Sequence, residues 1–315
     1  MITDTVLMVR PAAFCYNEQT AVNNHFQNVS RISTESLQKQ ALLEFDTMVA
    51  SLQAAGIQVM VVEDTPEPVK PDAIFPNNWL STTADGRVHL YPLFAPNRRL
   101  ERRPGIVKLL QQMFDVQRVN DWTFLEEQEL FLEGTGSLVF DHRSRTAYAA
   151  LSPRTNLAAL SLIANSMGYE AVAFEAADQQ GRDIYHTNVL LSIGDDFAAG
   201  CSSAFKNEEQ LKLVQQKLAA SDHEWIDLSF AEMQAFGANL LQLKSVAGKS
   251  VIALSKTAFD TIQPATRQRL AKFGILLPLD VSTIEQVNGG SVRCMLCEIF
   301  LPPKAVPASA SRPQQ

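Results

Sequence analysis

Five short stretches of this 315-residue chain share one grammar: small or polar residues, then an apolar strand, a turn and another strand. They are Asn77-Asn78-Trp79-Leu80, Gly134-Thr135-Gly136-Ser137-Leu138-Val139-Phe140, Thr187-Asn188-Val189-Leu190-Leu191, Gly237-Ala238-Asn239-Leu240-Leu241 and Gly289-Gly290-Ser291-Val292. They recur about every 50–60 residues, a period that signals stacked or circular repeats. Each period holds about three strands and a helix, too little to bury its own apolar face, so the units must pack on one another. In a ring of such units, equivalent positions converge on the centre. Residues far apart in sequence then become neighbours.

Between these points a strand–helix–strand alternation repeats. Leu37, Leu42, Leu43, Phe45, Met48, Val49 and Leu52 give residues 34–54 the apolar face of a long helix, which Gly56 stops. Further helices are expected over 101–113, 155–167, 208–218 and 261–273. Strands are expected at 6–9, 57–62, 116–119, 171–174, 225–228 and 275–279, and a last one from Ser291 through Leu301. The class is α/β, with one domain over residues 1–301, because no linker interrupts the chain between Val6 and Leu301. The tail, 302–315, is rich in Pro, Ala and Ser and is expected to be disordered.

Composition narrows the function classes. A net charge of −7, with one short arginine cluster at Arg98-Arg99-Leu100-Glu101-Arg102-Arg103, argues against a nucleic-acid partner, which needs a basic face. No apolar run reaches the roughly 18–20 residues that span a bilayer, and the N-terminus lacks the regions of a signal peptide. Four cysteines (Cys15, Cys201, Cys294, Cys297) are too few and too scattered for a disulfide scaffold or zinc ribbon. A cytoplasmic protein with reduced thiols is the expectation.

Chemistry-bearing residues sit at the recurrent points. Asp72, Asn77 and Asn78 flank the first, Glu133 immediately precedes Gly134, His186 immediately precedes Thr187, and Cys294 follows the Gly289-Gly290 pair. Taken singly, each has a bland reading. A buried cysteine is usually a small core hydrophobe. His186 fits a core histidine with a satisfied hydrogen bond, Glu133 a turn salt bridge, and the arginine cluster a solvated helix start. Their common register makes them more: a thiol nucleophile, its acid/base and an orienting carboxylate, with a nearby positive charge needed to favour thiolate. The glycine pair would let backbone and substrate approach the sulfur. Cys297 gains nothing from this argument and reads as packing.

Together these segments resemble the pentein (β/α-propeller) superfamily of guanidine- and ureido-modifying enzymes, and within it the citrulline-utilisation hydrolases, or citrulline ureidases. The resemblance runs from Val6 to Pro302. Its carriers are Arg10-Pro11-Ala12-Ala13-Phe14, Phe75-Pro76-Asn77-Asn78-Trp79, Leu132-Glu133-Gly134-Thr135-Gly136-Ser137, Tyr185-His186-Thr187-Asn188-Val189 and Gly289-Gly290-Ser291-Val292-Arg293-Cys294-Met295. The resemblance implies a five-fold pseudosymmetric propeller with Cys294 as nucleophile, His186 as general acid/base and Glu133 as the family's carboxylate, partner to the substrate nitrogens or to His186. It also implies arginines for the substrate carboxylate: Arg99 and Arg154, with Arg98 beside them. No cofactor or metal is implied, and a homodimer is left open.

The departures carry the substrate. Arginine deiminases grip the guanidinium with two aspartates, where this chain has Asn78 and Asn188. An amide offers donors and an acceptor to a neutral urea, whereas a carboxylate facing urea would be desolvated without a counter-charge. The expectation is hydrolysis of L-citrulline to L-ornithine, carbon dioxide and ammonia. The alternatives are a deiminase or dihydrolase acting on arginine or a methylated or acylated arginine, an amidinotransferase, or a non-catalytic binding protein on the same ring. The last should lack the Cys/His/Glu set.

Overall fold

Each of the five recurrent points leads into the first strand of a three-stranded sheet. The computed structural model describes residues 1–30 and 32–304; the tail expected to be disordered lies outside the described residues from 305 onward. In four sheets a short strand pairs antiparallel with a hairpin partner, and a helical crossover then returns a parallel third strand. These sheets are Leu80–Thr83, Arg87–Leu90 and Arg118–Asp121; Val139–Asp141, Thr146–Ala150 and Glu170–Phe174; Leu191–Ile193, Phe197–Gly200 and Glu224–Asp227; and Leu241–Lys244, Ser250–Ser255 and Ile275–Leu279. The fifth sheet joins the chain ends. Cys297–Glu298 pairs antiparallel with Thr5–Arg10, which lies parallel to Gln58–Glu63.

First strands of neighbouring sheets touch at three of the five seams, toward the axis of the ring. Thr82 stitches the fifth sheet to the first: its hydroxyl donates to the Glu298 carbonyl (3.0 Å) and accepts from the Phe300 N–H (2.8 Å). Thr146–Ala150 is buried along its whole length, as expected of a strand covered on both faces. The architecture is a β/α-propeller of five units.

The crossover helices are Thr34–Ala54, Pro104–Met113, Leu157–Met167, Glu208–Ala220 and the broken pair Lys256–Thr261 and Pro264–Leu270. Ser33, Asn156, Asn207 and Ser255 cap four of these starts through side-chain oxygens. On the first helix Leu37, Ala41, Phe45, Met48 and Leu52 face the core. Phe45 and Met48, fully buried, contribute about 1.5–3 kcal/mol each.

Three expectations need correction. The helix expected over 101–113 begins at Pro104, because proline favours a first helical position, and a 3₁₀ turn, Pro96–Glu101, precedes it. The helix expected over 261–273 is cut in two before Pro264 for the same reason. The strand expected from Ser291 starts only at Cys297. Val292–Met295 is a single helical turn, closed by the Cys294 N–H on the Ser291 carbonyl (3.0 Å). Cys294 therefore sits on a turn at the mouth of the ring. No helix among the described residues is long and apolar enough to cross a membrane.

Candidate functional site

The first and last recurrent segments and His186, just before the third, meet at one cup, walled in part by Asp72, Asn78, Arg98, Arg154, His186 and Cys294. It is small: the open space inside is about 10 Å³, room for about one water.

Each wall is set by local backbone. Pro76–Asn78 is a 3₁₀ turn that begins on a proline and aims Asn78 inward. Gly134 has φ +46°, and a Cβ there would lie 2.2 Å from the Asn77 carbonyl oxygen. A Cβ at Gly136 would lie 2.4 Å from Asn78 Nδ2 and 2.9 Å from the His186 ring. Gly134 thus lets the Asn77-Asn78 backbone approach, and Gly136 makes space for the Asn78 and His186 side chains that flank the cup. Gly289 and Gly290 also make room for neighbouring side chains, and Gly290 lines the cup with Cys294. A Cβ would strike the Asn24 side chain at the first and the Phe75 ring, 2.7 Å away, at the second.

Glu133 and His186 form a buried pair, Oε2 to Nε2 at 2.7 Å. An ionised carboxylate only accepts, so His186 carries its proton on Nε2 and leaves Nδ1 as the ring's acceptor. The second Glu133 oxygen accepts from the Phe94 N–H at 3.0 Å. Burial alone would raise the Glu133 carboxyl, but Arg154, His186 and Arg98 hold it well below the usual carboxylate range. Burial pushes His186 down to about 4, against the pull of Glu133.

Cys294, 3% exposed, faces two amides. Asn239 Nδ2 lies 3.3 Å and Asn188 Nδ2 3.7 Å from the sulfur. The Arg293 N–H occupies Asn239 Oδ1 (3.1 Å), which fixes Nδ2 as the donor toward the thiol. Burial pushes the thiol up, only partly offset by contacts with Ser291, Asn239, Arg293 and Asn188. At rest the cup holds a neutral thiol, a neutral imidazole and an anionic carboxylate. The cation expected to favour thiolate is Arg293, and it acts beside two amide donors.

The other expected residues divide. Asp72 faces the cup, its carboxylate taking hydrogen bonds from Asn17 (2.7 Å), Thr20 (3.2 Å) and Asn288. Arg154 is enclosed, donating to the Thr20 carbonyl (2.8 Å) and Asn23 Oδ1 (2.7 Å). Arg98 is 2% exposed and no part of a solvated helix start. It makes a two-pronged pair with Glu101 (2.9 Å on each prong) and donates to Asn78 Oδ1 (2.8 Å). Arg99 leaves the cup, because its neighbour faces inward on the same turn. It donates to the Leu93 and Phe94 carbonyls and pairs with Glu126 at 3.3 Å. Asn77 also stays outside the wall, bonded to Thr135 Oγ1 at 3.3 Å. Cys297 is packing: buried, with its thiol on the Leu80 carbonyl.

Asn239, Asn288 and Glu101 were missed as site residues. Asn239 stands in the fourth recurrent point, two residues before its strand, as Asn78 does in the first; register alone could have found it. Among the described residues no cluster of three or more His, Cys, Asp or Glu is placed to hold a metal ion, and all four cysteines are free thiols.

A family model described as N,N dimethylarginine dimethylhydrolase, eukaryotic, matches residues 10–301. No curated protein sequence matches the chain. Solved structures share the fold. The substrate-bound N-terminal domain of ArgZ, an arginine dihydrolase from cyanobacteria, is 18% identical with a TM-score of 0.71, covering 95% of this chain and 98% of that one. AgrE in complex with L-arginine is 18% identical with a TM-score of 0.74, over 96% of this chain and 41% of that one. A Pseudomonas aeruginosa DDAH complexed with citrulline is 14% identical with a TM-score of 0.60, over 95% and 100%. With nearly its whole length matched, the chain belongs to the N,N-dimethylarginine dimethylhydrolase family (eukaryotic model) of the pentein superfamily.

Proposed function

We propose that the protein is a thiol-dependent hydrolase of the terminal C–N bond of an arginine-derived amino acid, and that its cup takes the ureido group of L-citrulline. One observation carries the substrate. The Asn78 amide is oriented by chemistry: a guanidinium only donates, so the oxygen must face Arg98 and the NH₂ must face away. That Nδ2 is buried and has no hydrogen-bond partner among the described residues. A lone buried donor in the wall of the cup that Cys294 also lines suits a carbonyl oxygen. A guanidinium, which presents donors alone, would leave it unpaired.

In this reading Cys294 passes its proton to His186 Nδ1 as Sγ bonds to the ureido carbon, and Asn78 Nδ2 donates to the developing oxyanion. Glu133 steadies the imidazolium. His186 hands the proton to the departing δ-nitrogen, which leaves as the amine of ornithine. Water, deprotonated by His186, then releases carbamate from the S-carbamoyl thioester, and carbamate falls to carbon dioxide and ammonia.

A second reading, hydrolysis of the guanidino group of arginine or a methylated or acylated arginine, has the relatives behind it. The family model is named for dimethylarginine, and ArgZ is described as an arginine dihydrolase. The cup also holds three carboxylates, Asp72, Glu101 and Glu133, against Arg98 and Arg154, a balance that tolerates a cation. Incubation with citrulline, arginine and dimethylarginine separates the two. Ornithine and ammonia from citrulline support the first reading; turnover of arginine or dimethylarginine with citrulline left intact establishes the second.

A further inference from the structure

The helix Ser282–Asn288 carries a buried acid that the thiol chemistry leaves unused. Glu285 is 4% exposed, deeper than a carboxylate sits without partners. It accepts from the Ser291 hydroxyl at 2.5 Å, within the range of a charge-assisted bond. Burial pushes the carboxyl up, and the hydroxyls of Ser255, Ser291 and Thr257 pull it back. The main chain of Glu285 acts on the same loop. Its carbonyl accepts from the Gly289 N–H at 3.0 Å, where the helix ends in a residue with φ +63°. One residue therefore clips the chain from Gln286 to Ser291 through both its backbone and its side chain. The other end of the helix is fixed as well, since Glu44 of the first crossover helix accepts from the Thr283 and Ile284 N–H groups at 2.9 and 3.1 Å.

We propose that Glu285 is a positioning residue for the nucleophile: with Ser291 it clips the turn that carries Cys294 to the helix before it, and so sets where the sulfur stands in the cup. It acts through Ser291 and not on the substrate. The proposal rests on the reading of Cys294 as the nucleophile and on no choice between ureido and guanidino substrates.

The Cys294 turn is held from two sides. Asn239 takes the Arg293 N–H at 3.1 Å on one, and Glu285 takes the Ser291 hydroxyl on the other. The Ser291 carbonyl closes the turn on the Cys294 N–H at 3.0 Å, so a shift of Ser291 is handed on to Cys294. Gly289 and Gly290 precede Ser291 without side chains, which makes its hydroxyl the first side-chain anchor after the pair. A hydroxyl has one proton to donate, so Ser291→Ala removes the anchor outright. Glu285→Gln removes the charge and keeps an acceptor. Misplacement of a reacting atom by about 1 Å costs about 10²-fold in rate.

The test compares Ser291→Ala, Glu285→Ala and Glu285→Gln with the unaltered enzyme. Steady-state rates are measured on citrulline, arginine and dimethylarginine, and deuterium exchange is followed by mass spectrometry in the peptide carrying Val292–Met295. The clip predicts that kcat falls about 10²-fold in both alanine variants with KM little changed, and that exchange at Cys294 quickens. Glu285→Gln is expected to recover most of the rate and of the protection. Thermal melts separate local loosening from global unfolding, and Ser291→Ala reports even where Glu285→Ala is unstable. Normal kcat and normal exchange in Ser291→Ala would overturn the proposal. So would a loss confined to Glu285→Gln, which would make the charge, not the anchor, what matters. If the unaltered enzyme turns over none of the three substrates, the hydrolase reading fails by itself, and the exchange rates alone decide whether Glu285 holds the turn.

Discussion

Asn78 shows how much one atom assignment can carry. In sequence it is an amide where arginine deiminases have an acid; in the structure its direction is dictated by Arg98, a group that can only donate. Asn78→Asp replaces the free N–H donor with an acceptor. Loss of one oxyanion donor costs about 10²–10³-fold, so kcat/KM for citrulline is expected to fall by that factor in steady-state assays. An unchanged value would show that the amide does not read the substrate. The inward residues Cys294, His186, Glu133, Asp72 and Asn78 were legible because they share a register. Arg98 and Arg99 were not separable, since the direction of two consecutive side chains on a 3₁₀ turn is decided by Glu101 and Glu126, which pattern does not reveal. Asn17, Asn23 and Asn24 close the cup from a segment between repeats, where register gives no signal.

Among the elements, capping and proline decided the boundaries. The helix Leu157–Met167 starts where Asn156 accepts from the Ala158 and Ala159 N–H groups and stops at Gly168, whose φ is +77°. Asn156→Ala is expected to lower unfolding free energy by about 1 kcal/mol in urea titration, with kcat unaltered. Lost activity at unchanged stability would instead tie this helix to the cup. The one-turn helix under Cys294 was invisible to pattern, because alternation in 291–301 reads as a strand. Its pairing with Thr5–Arg10 is limited to two residues, and the turn before it is stabilised by Asn239 on the Arg293 N–H.

Across the whole molecule the ring both positions the site and sets its pH response. Sequence period disclosed the five units; it did not disclose that the last strand pairs with the first, since two residues of pairing carry no periodicity. Burial holds His89 and His186 down to about 4, below the ordinary value of about 6.5. Between those values the unfolded chain takes up protons that the folded ring refuses. Each histidine's contribution is therefore complete above about pH 6.5 and declines as pH falls, by about 1.4 kcal/mol per pH unit, while the buried Glu101 carboxyl, pushed up to about 7, acts in the opposite direction over the same window. The depressed Glu133 carboxyl adds to this loss below the carboxylate range. The fall in urea midpoint between pH 7 and pH 5 is expected to be smaller in His89→Gln than in the unaltered protein; an equal fall would mean that this imidazole gains its proton inside the fold.

The central claim is that a sulfur at the mouth of this ring bonds to a ureido carbon. Acid quenching during citrulline turnover, followed by peptide mass spectrometry, reads that bond directly. The expected result is one carbamoyl group on the peptide carrying Cys294, on that residue rather than Cys297, and absent from Cys294→Ser. An unmodified Cys294 in citrulline, together with an amidino-type adduct on it in arginine, would contradict the claim.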